Sequence, residues 1–121
     1  MYKILLVEDE IVLRETVTEI LEFHDFEVLA AVSGENALKI LTTQMPDIIV
    51  SDVMMPGMSG FDFILKVKGI PGLANIPFIF LSAFAGHEEH FEALKLGACD
   101  FVTKPFRFAN LVTVINSNLN A

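Results

Sequence analysis

The chain has 121 residues, 53% of them hydrophobic, which suits one domain with a sizeable core and leaves no room for a second. Sixteen acidic against eight basic residues give a formal charge of −8, which disfavours contact with a phosphate backbone and argues against direct nucleic-acid binding by this domain. The first apolar run is short and meets Glu8, Asp9 and Glu10 at once. That is neither a signal peptide's layout nor a membrane span, so a cytoplasmic setting without membrane contact is expected.

Ile4-Leu5-Leu6-Val7 is a continuous apolar run of the kind expected of a strand covered on both faces in a parallel sheet, and Glu8 and Asp9 follow it directly. Leu13, Val17, Ile20 and Leu21 have helical spacing and predict a first helix that buries one stripe. Phe26 to Ala30 is a weaker strand, and Ala37, Leu38 and Leu41 mark a second helix behind the turn at Ser33-Gly34. After Met45-Pro46-Asp47 comes the apolar run Ile48-Ile49-Val50, and Ser51-Asp52 then puts a carboxylate where a buried strand gives way to a loop. Ser59-Gly60-Phe61-Asp62 has the spacing of a capping box with Asp in place of the usual Glu, and Phe61, Ile64 and Leu65 predict the buried stripe of a third helix.

Phe78 to Leu81 reads as a fourth strand, with Ser82 at its end. His87-Glu88-Glu89-His90 is not the His-Glu-x-x-His zinc pattern and reads as the solvated first turn of a fourth helix, marked by Phe91 and Leu94 and closed by Gly97. None of the three histidines, His24 included, is assigned chemistry. Cys99 has no partner for an internal disulfide and is expected to be a small buried hydrophobe. Phe101-Val102 is a short last strand, followed by Lys104-Pro105 and a fifth helix carrying Leu111, Ile115 and Leu119.

Strand and helix thus alternate five times, which calls for an α/β sandwich with helices on both faces and right-handed crossovers. In such sheets function gathers beyond the carboxyl ends of the strands. Glu8, Asp9, Asp52, Ser82 and Lys104 all fall there. If those ends meet, they make a metal-binding acid pocket with one cation beside it.

Val7-Glu8-Asp9-Glu10, Ser51-Asp52-Val53-Met54-Met55-Pro56, Leu81-Ser82-Ala83 and Asp100-Phe101-Val102-Thr103-Lys104-Pro105, in this order, resemble the receiver domain of two-component response regulators. The resemblance covers essentially the whole chain and implies one receiver domain over residues 1–121 with a flavodoxin-like (βα)5 fold, its parallel sheet in the order 2-1-3-4-5. It implies that Asp52 accepts a phosphoryl group from the phosphohistidine of a sensor kinase or a histidine phosphotransfer protein. Mg²⁺, with Mn²⁺ as a substitute, would be held by Asp9, Asp52, the Met54 carbonyl and, through a water, Glu8. Lys104 and the Ser82 hydroxyl would each meet a phosphoryl oxygen, with the Lys104-Pro105 bond cis, and Phe101 would be the aromatic ring that moves as Ser82 shifts. Met54 and Phe84 would govern water access to the aspartyl phosphate.

The resemblance further implies a regulatory module with self-catalysed phosphotransfer and dephosphorylation rather than a conventional enzyme, acting on a downstream effector domain or protein. Phe84, Phe91, Phe106 and Phe108 gather around the fourth and fifth helices, a face suited to partner docking or homodimerisation. A phosphorylation-independent interaction domain is the alternative. A flavin protein on the same architecture is disfavoured because Glu8, Asp9 and Glu10 would repel the flavin phosphate. An aspartate-based phosphatase is disfavoured because Met54 stands where such enzymes carry a second acid.

Overall fold

Each apolar run becomes a strand and each amphipathic segment a helix in the computed structural model, which describes residues 1–83 and 86–120. In chain order the elements are β1 (Lys3–Val7), α1 (Ile11–Phe23), β2 (Glu27–Ala31), α2 (Gly34–Leu41), β3 (Ile48–Asp52), α3 (Gly60–Lys68), β4 (Phe78–Ser82), α4 (His87–Lys95), β5 (Asp100–Thr103) and α5 (Phe108–Leu119). All four strand pairings are parallel, in the order β2-β1-β3-β4-β5. This is the flavodoxin-like order, and the point at which strand order reverses falls between β1 and β3.

Because side chains alternate across a strand, the sheet feeds two cores. Leu5, Val7, Ile49, Phe78 and Phe80 pack with Ala37 and Leu41 of α2, Phe63, Ile64 and Val67 of α3, and Ala93 of α4. Ile4, Leu6, Ile48, Val50, Ile79 and Leu81 pack on the other face with Val17 and Leu21 of α1 and Leu111 and Ile115 of α5. The central strands are therefore covered twice, which is why their sequences are apolar without alternation. Full burial of one such side chain contributes about 1.5 to 3 kcal/mol.

Four sequence expectations need correction. Leu65 is exposed, and the inward stripe of α3 is Phe63, Ile64 and Val67. The helix is apolar around most of its circumference, so spacing alone leaves its rotation open. In α4 both Phe91 and Leu94 face outward, with Ala93 beneath them. Cys99 is exposed, because it lies in the turn that enters edge strand β5, where its N–H is bonded to the Phe78 carbonyl and its side chain has no layer to cover it. β2 begins at Glu27, one residue later than expected: Asp25 takes a left-handed backbone (φ 67°) that reverses the chain out of α1, and Phe26 fills the core from that turn.

Register places the functional ends level with one another. Val7 pairs with Ser51, Asp52 with Leu81, and Ser82 with Thr103. Glu8, Asp52, Ser82 and Lys104 consequently line one edge of the sheet. α3 is docked beneath this edge by Gly60, whose N–H donates to the Val53 carbonyl at 2.8 Å. A Cβ at Gly60 would lie 2.2 Å from the Asp52 carbonyl oxygen. Ser59 caps this helix by accepting from the Asp62 N–H at 3.1 Å, the serine half of the expected capping box. Among the described residues no helix is long and apolar enough to cross a membrane.

Candidate functional site

The carboxyl ends of β1, β3 and β5 converge on one ammonium group. Lys104 Nζ donates to Glu8 Oε1 and to Asp52 Oδ2, each at 2.8 Å. The second oxygen of each acid takes a backbone N–H from its own loop: Glu10 N–H to Glu8 Oε2 at 3.1 Å, and Met54 N–H to Asp52 Oδ1 at 3.2 Å. Both acids are therefore held by one lysine on one side and one peptide on the other. Glu8 is 1% exposed and Asp52 6%. Asp9, the third acid, is exposed at the mouth.

Burial pushes the Glu8 carboxyl above its ordinary value, and the charge of Asp52 adds to that. The hydrogen bonds from Lys104 and from the Glu10 N–H, with the lysine's charge, pull the other way without cancelling it. Burial alone would lower the Lys104 pKa. Hydrogen bonds to Asp52 and Glu8, and the charges of both, outweigh it and move Lys104 upward. The two partners of one ion pair differ because Lys104 faces two acceptors and its side chain keeps 19% exposure, whereas that of Glu8 keeps 1%. The ammonium is held charged, and the strain of the pocket falls on Glu8.

One ligand oxygen from each of Glu8, Asp9 and Asp52 lies within 4.8 Å of the others. Three hard oxygen donors at that spacing fit the demands of Mg²⁺, which binds oxygens at about 2.0 to 2.1 Å in octahedral array and keeps several waters. The Met54 side chain is 58% exposed, so its loop lies at the open side of the pocket. Ser82 is fully buried at the end of β4, and its carbonyl accepts from the Lys104 N–H at 2.7 Å. The Lys104-Pro105 bond is cis. Phe101 is half-buried against the first core, its ring 6.3 Å from that of Phe80. Phe84 lies outside the described residues. Of the other phenylalanines expected on this side, Phe91 is exposed, while Phe106 and Phe108 pack edge to face against each other and the second core.

Three contributors escape sequence reasoning. Glu10 is the N-cap of α1, accepting from the Val12 and Leu13 N–H groups at 3.2 and 2.7 Å. An acid just before a helical stripe is the signal that could have identified it. Arg14 Nη1 donates to the carbonyls of Glu8 and Asp9 at 2.9 and 3.4 Å, tying the acid loop to the first turn of α1. His90, expected to be solvated, lies on the Phe101 ring. Neither contact leaves a motif in the sequence.

A family model described as the response regulator receiver domain matches residues 4–116. The chain belongs to this family. The receiver domain is 37% identical over 115 residues to the phosphate regulon transcriptional regulatory protein PhoB of Escherichia coli, covering 95% of this chain and 50% of PhoB. With the response regulator SaeR of Staphylococcus epidermidis it shares 35% identity over 119 residues, 98% of this chain and 51% of SaeR. It therefore spans about half the length of the curated relatives it matches. Among solved structures, the chemotaxis protein CheY4 of Vibrio cholerae superposes with a TM-score of 0.93 at 32% identity, covering 97% of this chain and 98% of that one. The non-phosphorylated HemR receiver domain of Leptospira biflexa does so with a TM-score of 0.92 at 30% identity, covering 100% and 96%. The fold and the family thus agree with two-component signalling, and the receiver domain is a regulatory module.

Proposed function

We propose that this receiver domain is a phosphorylation-dependent switch in which Asp52 accepts a phosphoryl group from a histidine kinase or a histidine phosphotransfer protein. The observation that carries the reading is the meeting of a buried Asp52 carboxylate, the Lys104 ammonium at 2.8 Å and two further acids at metal-binding spacing. An Asp52 oxygen attacks the phosphorus of a phosphohistidine that carries a proton on its other ring nitrogen, an O–P bond forms, the P–N bond breaks, and the imidazole keeps that proton and leaves as the neutral base. Hydrolysis reverses the mark when water attacks phosphorus and the carboxylate departs.

Glu8, Asp9, Asp52 and the Met54 carbonyl would hold Mg²⁺, which when bound offsets negative charge on the phosphoryl oxygens. Lys104 already points at Asp52, so it needs only to exchange a carboxylate oxygen for a phosphoryl oxygen to stabilise the same charge. The Ser82 hydroxyl is assigned to another phosphoryl oxygen, and Phe101 to the packing change that reports it. Met54, at the open side, and Phe84 are assigned to water access. Output passes to an effector domain or protein, or to a second copy through the face of α4 and α5, within the cytoplasm.

Acetyl phosphate with Mg²⁺, read by intact mass, tests the central step. One phosphoryl adduct is expected on wild type and none on Asp52→Asn. Equal adducts on both proteins would assign the chemistry elsewhere.

A further inference from the structure

α4 is held to the sheet by little. Ala93 is its one fully buried residue among those described, Phe91 and Leu94 face outward, and its N-cap, Gly86, supplies no side-chain cap. Against that background the contact made by His90 stands out. Its imidazole lies over the Phe101 ring with centroids 4.1 Å apart and planes tilted by 31°. That is closer than the 4.5 to 7 Å usual for aromatic pairs. The same ring places Nε2 3.4 Å from Thr103 Oγ1. Phe101 and Thr103 are alternate residues of β5 and share a face, so one imidazole spans both and links α4 to the strand that leads into Lys104.

We propose that His90 is a positioning residue, a clamp that holds the Phe101 ring in its half-buried place and so sets how readily the ring leaves it. The inference rests on the reading of Phe101 as the ring that moves. Phe101 has no hydroxyl with which to fix its position, so packing alone decides where it sits. Phe80, at 6.3 Å and 50°, backs the ring from the core, and His90 covers it from α4. Outward motion of the ring must break the stack, and motion of α4 must break it too. The clamp therefore makes ring and helix move together. A stack of ordinary strength biases such an equilibrium by roughly three- to ten-fold.

Three substitutions separate the stack from the Thr103 contact. His90→Phe keeps a ring without the nitrogen, His90→Gln keeps a polar atom without the ring, and His90→Ala keeps neither. The readout is the Phe101 side-chain rotamer population by NMR on the unphosphorylated protein, alongside Asp52 phosphorylation by acetyl phosphate and Mg²⁺. His90→Ala and His90→Gln are expected to raise the minor rotamer roughly three- to ten-fold, and His90→Phe to stay near wild type. Unchanged populations in His90→Ala overturn the clamp, as does a His90→Gln protein that matches wild type or a His90→Phe protein that matches His90→Ala. Failure of wild type to take a phosphoryl group would instead reject the proposed function, and the rotamer measurement would still decide the clamp.

Discussion

Glu8 and Lys104 share a hydrogen bond and both carry raised pKa values, so each loses stabilising effect as pH rises, but in windows on opposite sides of neutrality. Between its ordinary value of 4.5 and its raised folded value, Glu8 binds more protons in the folded protein than in the unfolded one, so its contribution to stability falls as pH rises through that window. Lys104, raised above 10.5, contributes stability that is fully present below that value and is lost as pH climbs through the folded pKa. At neutral pH the lysine supports the fold and the glutamate opposes it. Glu8→Gln, measured by thermal melts in a chelator at pH 7, should therefore raise Tm. The gain should shrink as pH falls below 4.5, where the carboxyl is protonated in both states. The acid is retained against folding stability, as expected where function needs a charge in a buried place.

α3 fixes the far side of the pocket through one glycine. A Cβ at Gly60 would meet the Asp52 carbonyl oxygen at 2.2 Å, Val53 Cα at 2.8 Å and Phe80 Cε1 at 3.0 Å, and the first two are backbone atoms that cannot rotate away. Gly60→Ala should cost about 3 kcal/mol in urea unfolding and push the end of β3 out of register with Lys104. The helices also mark the limit of what the sequence discloses. Strand ends carried legible chemistry because each polar group follows an apolar run: Glu8 after Val7, Asp52 after Val50 and Ser51, Ser82 after Leu81. Helix rotation was less legible. Phe61, Phe63, Ile64, Leu65 and Val67 spread over more than half of α3's circumference, and the close approach of Gly60 to Asp52 and Val53 marks which side of that arc turns inward. α4 offered Phe91 and Leu94 as its stripe, yet they face solvent, since a helix on a sheet's outer margin has less core to fill. Arg14 and His90 stayed hidden for the same reason, because each acts across elements whose meeting depends on such rotations.

For the whole molecule, a cation held by Glu8, Asp9 and Asp52 as proposed would link metal binding to folding. A cation bound by the folded protein alone stabilises it in proportion to the logarithm of one plus its concentration over Kd, about 2.7 kcal/mol at a hundred times Kd. Mg²⁺ should therefore raise Tm in wild type, and Asp9→Asn should lose most of that rise. Equal rises in both would remove Asp9 from the metal site. The bond from the Lys104 N–H to the Ser82 carbonyl, 2.7 Å long, has a different consequence. The two side chains assigned to the phosphoryl group hang from neighbouring peptides that are bonded to each other, so a displacement of one strand end is imposed on the other. Their energetic effects should then fail to add. In a double-mutant cycle of Ser82→Ala and Lys104→Met on phosphoryl lifetime, the doubly substituted protein should differ from the sum of the single changes by about 0.5 to 3 kcal/mol, the range found for residues in one bonded network. Simple additivity would mean that β4 and β5 deliver their groups independently, and that the receiver domain senses its phosphoryl group through two separate reporters rather than one.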